Sequence, residues 1–171
     1  MELRHGSYGV VINDFTFSWI EKGIEWFAGD GKHAFSVHYD NTISESLFKQ
    51  GVVKRHVSKY FDGNSWTVIF MPKKKYFSDD VLDKVVTRWS LDIGKPYDYG
   101  NLFGKIFKKS HLYNSFNKRI CSEHVAEGYR DIYLFCGKDP EKVTPHDLFL
   151  DAYSTGCKYF DAVPIKKGGI V

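Results

Sequence analysis

Cysteine is scarce in this chain. Cys121, Cys136 and Cys157 form an odd set with no repeated short spacing. Neither a disulfide framework nor a four-ligand zinc site is therefore expected. Seven histidines include no His-x-x-x-His pair, and the expectation is no metal and no cofactor. No stretch approaches the ~18 apolar residues that suggest a membrane span. The opening MELRHGSYGVVINDF lacks the apolar run of a secretory signal, so a cytoplasmic place of synthesis is the default expectation. Repeats, low-complexity tracts and Pro- or Ser-rich linkers are missing too, and residues 1–171 read as one domain.

Charge of either sign is nearly balanced, with 24 Lys+Arg against 21 Asp+Glu. That excess is too small to argue for nucleic acid. Lysines cluster at 73–75, at 105, 108 and 109, and at 166–167. They read as solvated turns and helix faces, with a phosphate-rich or peripheral membrane partner as the other reading. What the chain does have is apolar and aromatic side chains, 43% and 17% of the sequence, enough to build a core.

The order of elements is helix, sheet, then helices. SYGVVIND suits a first strand, and TFSWIEKGIEWFAG carries a helical apolar stripe of Phe17, Ile20, Ile24 and Phe27. In KHAFSVHYDNTISESLF, His33, Phe35, Val37 and Tyr39 alternate with Ala34, Ser36 and His38. Asp40-Asn41 then reads as the turn of a hairpin, with positions 36 and 45 close to opposite each other. GVVKRHVSKYF and SWTVIFMP are further strands around the turn Asp62-Gly63-Asn64. SDDVLDKVVTRWSLDIG is a helix capped by Ser78 and stopped by Gly94. KPYDYGNLFGKIFKKS leads through a turn into a shorter helix. A cysteine helix is expected from about Ile120 to Ile132, with Cys121, Val125, Gly128 or Tyr129, and Ile132 on one inward face. TPHDLFLDAY forms a short helix with Pro145 at its start, and CKYFDAV a last strand. The expected fold class is α+β with a mostly antiparallel sheet.

Cys121 opens its helix, directly after Lys118 and Arg119. A helix N-terminus and a cationic flank both lower a thiol's pKa from about 8.5. A small core residue is the ordinary reading and a nucleophile the sharper one. A nucleophile needs a base. His124 lies about one turn along the same helix, a pairing with poor in-line geometry. His33 begins a strand, and Glu45 follows on the return strand, where a carboxylate would orient the imidazole. Cys136 and Cys157 read as structural.

In chain order, the sequence carries SYGVV, SWIEKGIEW, KHAFSV, ISES with Glu45, KPYDYG and ICSEHV. This set resembles the circularly permuted papain-like amidases of the YaeF/YiiX type. Those are relatives of the NlpC-type peptidases and of the lecithin retinol acyltransferase family, in which the His strand precedes the Cys helix. The resemblance spans roughly Tyr8 to Leu148. It implies a permuted papain-like fold, with Cys121 as nucleophile, His33 as base and Glu45 as orienting third member. It also implies that Tyr97 lines the site or helps bind an oxyanion, to which the Cys121 N–H would also donate. Lys32 stands where the family has a small Ser, and Ala34-Phe35-Ser36 replaces a strand of small residues, so the bulk of Phe35 bears on substrate access.

The function this implies is a thiol hydrolase or acyltransferase acting on an amide, ester or thioester, with a peptide amide or a lipid acyl group as substrate. A phage or other viral source would suit a small member without a signal. The alternative is a non-catalytic module that binds lipid or protein in the same groove, with Trp19, Trp26, Phe27 and Phe35 as its apolar surface.

Overall fold

Residues 3–14, 33–61, 65–100, 117–166 and 169–170 are described by a computed structural model. The helix expected over TFSWIEKGIEWFAG, the turn at 62–64 and the short helix after Gly100 lie outside the described residues, as do Trp19, Trp26, Phe27 and Lys32. The rest is mixed α+β, as the sequence predicts. Seven strands form one antiparallel sheet: β1 (Tyr8–Asp14), β2 (His33–Val37), β3 (Thr42–Leu47), β4 (Gly51–His56), β5 (Ser65–Pro72), β6 (Phe160–Lys166) and the two-residue β7 (Gly169–Ile170). Their order is β4-β3-β2-β1-β5-β6-β7. Three α-helices are described, α1 (Asp79–Asp92), α2 (Cys121–Tyr129) and α3 (Pro145–Ser154).

Alternation along the strands divides the core in two. Tyr8, Val10, Ala34, Val68 and Phe70 pack with the apolar sides of all three helices, including Leu82, Val85, Trp89, Val125, Tyr129 and Leu148. Val11, Phe35, Val37, Ile43 and Ile69 instead pack with Leu3, Val57 and Tyr60. Every residue of β2 is thus buried, His33 included. The close seat of α2 on α1 depends on Gly128. A Cβ there would lie 2.2 Å from Trp89 Nε1, and that indole N–H donates to Val125 O at 3.1 Å.

Several boundaries differ from the sequence reading. GVVKRHVSKYF is not one strand, because β4 stops at His56 and Val57–Tyr60 forms a 3-10 turn that buries Val57 and Tyr60. Helix α2 stops at Tyr129, so Ile132 leaves the inward face and is 39% exposed. The last strand begins at Phe160 rather than Cys157. Thr144 and Asp147 close a reciprocal capping box at the start of α3, with Pro145 in its first turn.

The β2–β3 hairpin shows the most consequential difference. Its connection is Tyr39–Asn41, with φ of 55° at Asp40 and 54° at Asn41, closed by His38 N–H donating to Thr42 O at 2.8 Å. Three connecting residues, not two, set the register so that Phe35 faces Glu45 and Ser36 faces Ser44. The expected pairing of 36 with 45 is off by one. Because side chains alternate, that slip would have sent His33 and Glu45 to opposite faces. The observed register puts them on the same face.

Candidate active site

His33 and Glu45 are diagonal neighbours across β2 and β3, a separation that long polar side chains span. His33 Nε2 and Glu45 Oε2 are 2.8 Å apart, and the carboxylate is fully buried. Tyr60 O–H donates to the same oxygen. Lys59 Nζ lies 3.1 Å and Arg55 Nε 3.5 Å from Oε1. The Tyr60 ring is held by stacking on Phe35, with centroids 4.4 Å apart and planes 6° off parallel. A buried carboxylate without such partners would be strongly disfavoured.

Cys121 is the first residue of α2, directly after the N-cap Ile120, and is 8% exposed. Its thiol acts on the His33 ring, raising that ring's pKa. Burial pushes the His33 imidazole down, but the bonds to Cys121 and Glu45 outweigh it and raise the ring to about 10. For Glu45 burial pushes up, while the hydrogen bonds of His33 and Tyr60 and the charges of His33 and Lys59 hold it at about 2. Near neutrality the ring is cationic and the carboxylate ionised. An imidazolium beside the sulfur and a helix N-terminus beneath it both favour the thiolate.

His124 does not occupy the base position. It is fully buried, with Nδ1 3.2 Å from Asp92 Oδ2 and Nε2 2.7 Å from Ser44 Oγ and 3.2 Å from Ser36 Oγ. Burial lowers its pKa. His38 shares Ser44 Oγ at 2.6 Å, and burial together with the charge of Lys54 lowers it to about 3. Among the described residues no three His, Cys, Asp or Glu side chains gather as metal ligands would, and no helix is long and apolar enough to cross a membrane.

Tyr97 lies beside the segment that leads into α2. It forms a parallel bridge with Arg119, flanked by Arg119 N–H to Pro96 O and Asp98 N–H to Arg119 O, both at 3.1 Å. Its half-buried ring packs against Phe48 and Tyr99, at centroid distances of 5.7 and 5.2 Å. Gly51 makes this loop's close approach to β4 possible. It has φ of 71°, and a Cβ there would meet Lys95 O at 2.2 Å.

Phe35 corrects an expectation. It neither narrows a groove nor offers an apolar surface, because it is fully buried in the second core. Its ring lies over Gly9, where a Cβ would come within 2.1 Å of it. The missing side chain on β1 makes room for the large one on β2. The sequence reading missed Tyr60, Lys59, Arg55 and Asp92 altogether. The first three follow Glu45 by 15, 14 and 10 positions on the next strand and turn, and no local pattern marks them. A scan against protein-family models returns no match to this chain, and a search of curated proteins returns none either.

Proposed function

We propose that the protein is a cysteine-dependent hydrolase or acyltransferase in a permuted papain-like domain, working through Cys121, His33 and Glu45. One observation carries the reading: a single imidazole lies 2.8 Å from a fully buried carboxylate and is coupled to a thiol in the first turn of a helix. The chain order, His strand before Cys helix, also supports it.

The Cys121 thiolate attacks the carbonyl carbon of an amide, ester or thioester, and the C=O electron pair moves onto oxygen. The Cys121 N–H stabilises that oxyanion, and Tyr97 is a second candidate. The His33 imidazolium gives its proton to the leaving group as the C–N, C–O or C–S bond breaks, leaving an acyl-enzyme. Water or an acceptor alcohol, amine or thiol then attacks. His33 takes its proton, and the thiolate departs. Glu45 holds the ring and stabilises its charge throughout. The substrate classes this suits are peptide amides and lipid acyl groups.

The test is a screen of acyl esters, thioesters and peptide amides, followed by variants. Cys121→Ala should abolish turnover, and His33→Ala should nearly do so. Glu45→Gln should be milder, because it keeps an acceptor for the ring but loses the charge. Iodoacetamide at neutral pH should label Cys121 faster than Cys136 or Cys157, even though Cys136 is exposed. Partial desolvation of its sulfur and the neighbouring Asp151 and Asp147 raise the Cys136 pKa. Full activity in Cys121→Ala would end the thiol mechanism, and a wild type that turns over none of these substrates would leave the non-catalytic binding module.

A further inference from the structure

The first turn of α2 is pinned from several sides, and Asp92 lies at the centre. This carboxylate ends α1 and is buried. Its Oδ2 lies 3.0 Å from Arg119 Nε and 3.2 Å from His124 Nδ1, and its Oδ1 lies 2.5 Å from Lys95 Nζ. Those three cationic or cation-capable groups come from three places: the loop after α1, the segment before Cys121 and the helix after it. Arg119 reaches on to Glu123 Oε1 at 3.4 Å, and its carbonyl accepts from Ser46 Oγ at 2.7 Å. His124 continues to Ser44 on β3. Ser122 Oγ donates to Val143 O at 2.7 Å. The residues on either side of Cys121 are therefore anchored, while its own thiol is coupled to His33.

We infer that Asp92 is a positioning residue: by holding Arg119 and His124 together it fixes the first turn of α2 against β2 and β3, and so keeps the Cys121 sulfur at the His33 ring. This rests on the proposed thiol chemistry. Sites of this kind lose much of their reactivity when the supporting shell loosens by about an ångström. Burial alone would raise the Asp92 pKa, but the hydrogen bonds from His124 and Lys95 and the charge of Arg119 hold it at about 2, so the anchor is a carboxylate across the working pH range.

The experiment reads the rate of Cys121 alkylation by iodoacetamide against pH, with a thermal melt, in the wild type, Asp92→Asn and Arg119→Lys. The direction of the shift discriminates. Removing a nearby negative charge would by electrostatics alone favour the thiolate and move the profile to lower pH. Loss of positioning weakens the His33–Cys121 pair and moves it to higher pH. The expected result for Asp92→Asn is a midpoint raised by about one unit, which is a tenfold loss of thiolate below it. Arg119→Lys keeps the charge but cannot serve Asp92 and Glu123 together. It should shift the same way, and it decides the matter if Asp92→Asn does not fold. A lower melt with an unmoved profile, or a shift to lower pH, overturns the positioning role. A wild-type Cys121 that titrates as an ordinary thiol overturns the thiol chemistry itself, and the inference with it.

Discussion

At the residue scale, the ionised state of Glu45 depends on its partners outnumbering its burial. Tyr60 is the least obvious of them, since a phenol donating to a carboxylate leaves no local mark in the sequence. Tyr60→Phe keeps the ring stacked on Phe35 and removes only the donor. Hydrogen bonds to charged groups contribute about 1.5–3 kcal/mol, so the variant should be destabilised by roughly that amount and melt earlier. Its acid limb should also move. A depressed carboxylate stabilises the fold above its ordinary pKa, and that contribution is lost as pH falls through its folded value. Without Tyr60 the folded value rises, and acid unfolding should begin at higher pH. Chemical denaturation followed at several pH values below 5 checks this, and an unchanged acid midpoint would remove Tyr60 from the network.

At the scale of elements, the site depends on how β1 pairs beside β2, with Gly9 opposite Phe35. The Phe35 ring fills the space above Gly9, and Tyr60 stacks on the far side of that ring. Gly9→Ala should therefore do more than overpack a strand. Overpacking costs about 1–3 kcal/mol, and the displaced ring should press on Tyr60 and through it on Glu45. The expected outcome is a lower melt together with slower Cys121 alkylation. A lower melt with normal alkylation would show that the strain is absorbed before it reaches the carboxylate.

At the scale of the whole molecule, the buried ion pairs tie stability to pH. His33 is raised from its ordinary range to about 10. Its contribution is complete below its ordinary pKa and is lost as pH rises through the folded value. A thiolate partner works the other way, offsetting that loss up to the ordinary cysteine value of about 8.5. The net loss should therefore fall between about 8.5 and 10. The buried Tyr8 and Tyr129, raised by burial, weaken the fold only at higher pH. Melting temperatures taken between pH 7 and 10 should drop over the upper part of that range in the wild type and much less in His33→Gln. Equal slopes in the two proteins would mean that His33 is not the group titrating.

The sequence by itself determined the element types of β1, β2, α1 and α3, because alternation, helical spacing and cap residues are local signals. It also pointed to Cys121, His33 and Glu45, whose order along the chain follows a recognisable pattern. It did not determine the register that unites the last two. That depends on whether the β2–β3 connection has two residues or three, and the left-handed conformations at Asp40 and Asn41 settle it. Nor did it disclose Tyr60, Asp92 or the room that Gly9 makes for Phe35. Each of these acts through a contact between distant positions, and the partner of a buried polar or bulky group is chosen by the packing of whole strands and helices rather than by its neighbours in the chain.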